Sequence, residues 1–152
     1  MNSNNLKPLF NISDNTGCGF YRILAPVSAL KRYGIDAQVT DLAGDAIRKN
    51  DENICIIQRQ YLPEAFEILL TKRSCGIPVV SELDDNFWNI PKENYSNIAY
   101  DSIKLQERQA IAKQRGELGE NEFYLDNKKW LTEFIRMSDA VTVSTYSLAQ
   151  VV

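Results

Sequence analysis

The chain has 152 residues, 44% of them apolar, and a formal net charge of −3, the size and make-up of a single domain that can bury a core without disulfides or metals. Its mixed, mildly acidic charge offers no general attraction for a phosphate backbone or an anionic lipid surface, so nucleic acid is not expected as a partner. The absence of histidine excludes Ser-His and Cys-His nucleophiles, HExxH proteases and imidazole metal sites together, leaving chemistry to carboxylates, Arg, Lys, Tyr and backbone amides.

Short apolar runs alternate with helical patterns, the mark of βα units and a parallel sheet. Leu6 to Ile12 reads as the first strand, with Pro8 tolerated near its start. Ser13 to Phe20 is a polar, glycine-containing loop. A helix follows from Ile23 or Leu24 to Tyr33: Ile23, Val27 and Leu30 share a stripe, Pro26 fits the first turn, and Gly34 stands where a left-handed cap belongs. Ala37 to Thr40 gives a short second strand. Ile54 to Ile57 is a continuous apolar run suited to a central strand covered on both faces, and it ends at Gln58-Arg59. Pro63 opens a helix carrying Phe66, Leu69 and Leu70, closed by Gly76, and Ile77 to Val80 forms the fourth strand, running into Glu82-Leu83-Asp84-Asp85.

From Pro91 to Asp126 the sequence turns polar and irregular, with Ile103, Leu105 and Ile111 too sparse for a core helix, so residues 92–126 read as an excursion from the sheet. Order returns in an amphipathic helix bearing Trp130, Leu131, Phe134 and Ile135, then a strand from Ala140 to Val143. Ser144 or Thr145 is placed to cap a last helix with Leu148, Val151 and Val152, which the sequence leaves without an ending, as in a truncated domain. The expected architecture is a Rossmann-like three-layer α/β domain spanning residues 1–152, with a mostly parallel sheet of about five strands.

Cys18, Cys55 and Cys75 show no CxxC spacing, which points to reduced thiols. No apolar run approaches the ~20 residues of a membrane span, and Met1-Asn-Ser-Asn-Asn lacks the features of a leader, so a cytoplasmic location is expected. Nine basic and eight acidic residues precede position 80 and eight and twelve follow it, which places the acidity in the second half.

The right-handed crossover rule brings every strand's carboxyl end to one edge, where open α/β sheets bind their ligands. Four segments meet there: Asp14-Asn-Thr-Gly-Cys-Gly19, Gln58-Arg59, Asp84-Asp85 and Ser144-Thr145. Gly17-x-Gly19 ahead of a helix lets backbone amides approach a phosphate or diphosphate, with Arg22 nearby; alternatively it is a turn that serves only the backbone. Arg22 occupies the place where a dinucleotide fingerprint needs its last glycine, and Asp41 only mimics a ribose-binding acid. Adjacent carboxylates such as Asp84 and Asp85 can bind a metal or shift each other's pKa. In extended chain, however, neighbouring side chains point to opposite faces, so one is expected to look into the cleft while the other caps a loop or meets an arginine. Phe87 and Trp88 are expected as anchors of the following loop, with a sugar-stacking edge as the other reading.

Four ordered segments carry a resemblance: Gly17-Cys-Gly-Phe-Tyr-Arg-Ile-Leu-Ala-Pro26, Ile56-Ile-Gln-Arg59, Gly76-Ile-Pro-Val-Val-Ser-Glu-Leu-Asp-Asp-Asn-Phe-Trp-Asn-Ile-Pro91 and Ser138-Asp-Ala-Val-Thr-Val-Ser-Thr-Tyr-Ser-Leu-Ala149. The set resembles the N-terminal domain of bacterial and phage GT-B-type glycosyltransferases over nearly the whole chain outside residues 92–126. The resemblance implies an acceptor-side half of a two-domain enzyme whose nucleotide-sugar is held mainly by a second Rossmann-like domain absent from these residues. It implies binding positions at Gly17, Gly19 and Arg22 facing the donor diphosphate, at Arg59, Asp84 and Asp85 on the cleft edge, and at Ser144 and Thr145 near the interdomain seam. It implies no metal and no cofactor. Partners would be the nucleotide-sugar, an acceptor, and either the missing C-terminal domain or another protein. Two other classes stay open: a non-catalytic binding or structural module that keeps this fold, and a nucleotide-cofactor oxidoreductase domain, which the defective fingerprint disfavours.

Overall fold

The computed structural model describes residues 6–94, 100–119 and 126–152. Met1 to Asn5, the stretch inspected for a leader, and parts of the 92–126 excursion lie outside them.

Five strands form one all-parallel sheet: β1 (Pro8–Asn11), β2 (Gln38–Thr40), β3 (Ile54–Gln58), β4 (Val79–Leu83) and β5 (Ala140–Val143), in the order β2-β1-β3-β4-β5. Helices lie on both faces, giving a Rossmann-like three-layer α/β domain. Leu9, Cys55, Ile57 and Val79 meet Ala65, Ile68 and Leu69 of α3 (Pro63–Ser74) and Phe134 of α5 (Asn127–Met137) on one face. Phe10 and Ile56 meet Ile23 and Val27 of the first helical segment on the other. A third cluster gathers Leu83, Phe87, Leu131 and Leu148 at the carboxyl end of β4. Each such side chain, fully buried, contributes about 1.5–3 kcal/mol. The continuous apolar run of β3 thus has the two-sided burial that parallel sheets impose.

The first helical segment starts earlier than the sequence indicates. It consists of α1 (Gly17–Gly19), a π-helical turn at Phe20–Leu24 and α2 (Ala25–Arg32). Pro26 cannot donate to the carbonyl one turn back and its ring crowds that carbonyl. The helix widens just before it, and Ala25 N–H donates to Phe20 five residues back. Gly34 closes the segment at φ +76°, in the left-handed region glycine enters without penalty.

In α3 the buried stripe is Ala65, Ile68, Leu69 and Lys72, whereas Leu70 is 55% exposed. The expected Leu69 and Leu70 pairing is therefore off by one position. Lys72 is fully buried because its ammonium donates to Asn50 Oδ1 at 2.8 Å and pairs with the buried Glu52 at the amino-terminal edge of the sheet. The fourth strand also extends past Val80, through Ser81, Glu82 and Leu83, all buried.

Within the excursion the chain forms α4 (Ser102–Gln114), N-capped by Asp101, whose carboxylate accepts from the Ile103 and Lys104 amides at 2.9 and 3.2 Å. Ala112 is buried, while Ile103 and Ile111 face solvent, so α4 is a surface helix with no apolar stripe to announce it. Among the described residues no helix is long and apolar enough to cross a membrane. The three cysteines are free thiols, with Cys55 buried and Cys18 and Cys75 exposed.

Candidate functional site

The strand order sets the position of the site. From β1 the chain crosses outward to β2, then returns past β1 to β3, so the direction of winding reverses between β1 and β3. Loops there diverge and leave a crevice at the carboxyl edge. Arg59, the first residue after β3, stands at that reversal. Its guanidinium pairs with Asp14 from the β1 loop and, at 3.1 Å, with Asp84, the first residue after β4. It also lies 5.9 Å from the centre of the Phe87 ring.

The Arg59 backbone has φ +29°, a region disfavoured for a side chain carrying a Cβ. Its amide donates to the Glu82 carbonyl at 2.9 Å. Burial works against the guanidinium's charge, but Asp84 and Asp14 outweigh it and hold its proton more tightly than usual.

Asp14 has a second task. One carboxylate oxygen accepts from the Thr16 amide at 2.8 Å, from the Thr16 hydroxyl, and from the Gly19 amide at 3.3 Å. Burial pushes this carboxyl up, yet the Thr16 bonds and Arg59 outweigh it and leave it below the usual carboxylate range. The start of α1 is thus capped by the protein's own anion.

Beneath this layer Arg22 pairs with Glu82, which projects from β4 next to Gln58 in the β3 register. Burial raises the Glu82 carboxyl and Arg22 only partly opposes it. Gln58 is fully buried and accepts from the Ser13 amide at 3.0 Å, tying the β1 loop to the sheet.

Asp14 and Arg59 connect Gly19 with Asp84 at the rim, Asp84, Asp85, Ser144 and Thr145 share a groove beside it, and Arg22 lies beneath. A Cβ at Gly17 would meet nothing within 4 Å, so packing does not demand glycine there. At Gly19 a Cβ would fall 1.9 Å from the Asp14 carbonyl oxygen, so the close approach of helix to loop requires glycine. Both residues lie in the first helical turn, and the loop expected over Ser13 to Phe20 is correspondingly shorter. Arg22 points down to Glu82, and Asp84 meets Arg59 while Asp85 is exposed, the split that consecutive carboxylates suggest. Ser144 Oγ donates to the Asp84 carbonyl at 2.9 Å, and Thr145 caps α6 (Tyr146–Ala149) by accepting from the Leu148 amide at 3.2 Å. Phe87 is buried and Trp88 Nε1 donates to Thr132 Oγ1 at 2.9 Å, so both anchor the loop. Asp41 accepts from the Ala43 amide at 3.0 Å in a turn.

Several rim residues were not singled out from sequence. Asp14 was legible in principle from Asp14-Asn-Thr16, whose spacing suits a side chain bonding the backbone two residues on. Glu82 and Tyr100 carried no comparable signal. Tyr100 comes from the excursion, packs against Phe87 and Tyr61, and has its hydroxyl pushed up by burial and then by Tyr61. Cys18 sits at the same edge, its thiol pushed up by a hydrogen bond to Asp84 and by burial. Among the described residues no group of three His, Cys, Asp or Glu is placed to hold a metal ion.

Fold and rim together define an α/β domain of the doubly wound class with a cluster of paired charges at its topological switch point. No family model, curated protein or solved structure matches the chain.

Proposed function

We propose that the chain is the N-terminal, acceptor-side half of a GT-B-type glycosyltransferase that transfers a sugar from a nucleotide-sugar donor. The observation that carries this reading is the meeting of Asp14, Arg59 and Asp84, from the loops after β1, β3 and β4, at the switch point of the sheet. The four ordered segments named above add the family resemblance. Sugar transfer needs stabilisation of an oxocarbenium-like centre and a departing diphosphate, in a site closed to water. The rim offers two arginines against four carboxylates, Asp14, Glu82, Asp84 and Asp85, and both arginines are engaged within the chain. It therefore lacks the free positive charge a leaving diphosphate requires, and a second, donor-binding domain must supply it.

The test is titration of the purified chain with UDP-glucose, UDP and NAD by calorimetry, alongside a transfer assay. Weak UDP-glucose binding at the rim without turnover is the expected result. Turnover by these residues alone overturns the half-site reading, and preferential NAD binding overturns the class. The same internal pairing of the arginines favours one second reading, a non-catalytic module keeping this fold. Purification in a tight complex with another protein, with no nucleotide-sugar binding, would select it.

A further inference from the structure

Beyond the switch point, the carboxyl ends of β4 and β5 enclose an open groove of about 350 Å³. Asp85, Asn86, Ser144 and Ser147 line it, over an apolar patch from Leu148 and Val151. Asp84 and Thr145 complete the lining, so among the described residues no lysine or arginine lines the groove.

The two neighbouring aspartates differ in what they have left to offer. Asp84 is turned to Arg59 and largely buried. Asp85 is exposed, accepts only the Asn86 amide at 3.2 Å, and has no ion pair among the described residues. The side-chain oxygen of Asn86 is shielded from solvent and accepts no hydrogen bond within the described protein. Ser144 gives its hydroxyl proton to the Asp84 carbonyl, so its lone pairs face outward as acceptors. The acceptors open to a ligand in the groove are thus the Asp85 carboxylate and the Ser144 hydroxyl, beside the exposed apolar side chain of Val151.

A ligand matching that inventory brings several O–H or N–H donors on a carbon frame and carries no negative charge. We infer that this groove is a subsite for an uncharged or amino-bearing saccharide, anchored by Asp85, and that it rejects phosphate-bearing ligands. Hydroxyls of a sugar donate to the Asp85 carboxylate and the Ser144 hydroxyl oxygen, and its C–H face covers Val151. A phosphate there meets the Asp85 carboxylate, which has no ion pair among the described residues, while the charge of Arg59 is already shared with Asp84 and Asp14. The inference rests on the transferase reading, since it assigns the acceptor to the β4 and β5 end of the rim.

An open groove with a few charge-assisted hydrogen bonds corresponds to a Kd of about 1–10 mM. Amide chemical shifts of the ¹⁵N-labelled chain are followed during titration with glucosamine, methyl glucoside and glucose 1-phosphate. Saturable shifts at Asp85, Asn86 and Ser147 are expected, with glucosamine binding at least as tightly as methyl glucoside and glucose 1-phosphate weakest. Asp85→Ala should weaken glucosamine binding about tenfold, and Ser147→Trp, which fills the groove without touching the carboxylate, should abolish the shifts. Shifts centred on Gly17 and Arg59, no saturable shift for any probe, or unchanged binding by Asp85→Ala would each overturn the proposal. Groove binding together with preferential NAD binding in the calorimetric titration would leave the subsite standing and sink the transferase reading, whereas UDP-glucose binding at the rim without any groove shift would sink the subsite alone.

Discussion

Replacing Arg59 by methionine keeps the side-chain length and removes the charge shared by Asp14 and Asp84. An exposed ion pair contributes about 0–1 kcal/mol, whereas a buried charge stripped of its partner costs about 3–5 kcal/mol. The Arg59 side chain is 23% exposed, and Asp14 and Asp84 are 17% and 8% exposed. The pairs are intermediate, which sets the expected loss at about 2 kcal/mol. With a urea m-value of about 2 kcal/mol/M, the unfolding midpoint falls by about 1 M.

The loss must also depend on pH, and its sign follows from Asp14. That carboxyl lies below its unfolded value in the native state, so its contribution is complete above the unfolded pKa and disappears as pH falls through the folded one. In Arg59→Met the same carboxyl faces Asp84 without a shared cation, and protonation relieves the repulsion. The difference between wild type and variant should therefore be level from about pH 7 down to about pH 5 and shrink towards pH 3. Urea unfolding followed by circular dichroism at both ends of that range measures it. Arg59→Gly is a control for the φ of +29°, because relief of backbone strain should return about 1 kcal/mol. Equal losses at both pH values would refute the electrostatic account and leave Arg59 with only its packing on Phe87.

Gly17→Ala should fold with unchanged stability or a gain of up to about 1 kcal/mol, since its Cβ meets no atom within 4 Å; thermal unfolding checks this, and a stable variant isolates any effect on nucleotide-sugar binding. Gly19→Ala should lose about 1–3 kcal/mol in the same assay, because its Cβ would collide with the Asp14 carbonyl. Glu52→Ala should cost about 3–5 kcal/mol by leaving the Lys72 ammonium buried and unpaired, and adding Lys72→Met should recover most of it in a double-mutant cycle. Cys55 is buried with its thiol pushed up to about 12, so native protein at neutral pH should label at Cys18 and Cys75 and at Cys55 only after unfolding, as counted by mass spectrometry.

The central strand was legible because a parallel sheet buries both faces and so writes an uninterrupted apolar run, Ile54 to Ile57, whereas the edge strand Ala140 to Val143 was legible from its alternating valines, with Ala140 and Thr142 exposed. The fourth strand was cut short at Val80 because Glu82 reads as surface. Arg22, sixty positions away, pairs with it there. The first helix was started late for a similar reason, since two glycines suggest a loop until Asp14 is seen capping them. Helix α4 escaped notice because its isoleucines face water and leave no period to read. At the rim, Arg59 and Asp84 were legible from position alone, as the residues where apolar runs end. Their pairing with each other and with Asp14 was not, because it depends on the strand order.

That pairing gives the two ends of the rim different chemistry. At the switch point Arg22 and Arg59 already hold carboxylates, so an incoming phosphate competes with Asp14 and Asp84 for Arg59. The other oxygen of the Asp14 carboxylate receives the Thr16 and Gly19 amides, so Asp14 joins Arg59 to the start of α1. In the transferase reading, an anion competing for Arg59 would therefore act on the β1 loop through Asp14. At the β5 end no such displacement is needed, since Asp85 is exposed and carries no ion pair among the described residues. If a second domain closes on this edge, its positive groups have to compete for or replace Asp14 at one end only. A ligand rich in hydroxyls can already be seated at the other, and in the transferase reading that ordering admits the acceptor independently of the donor.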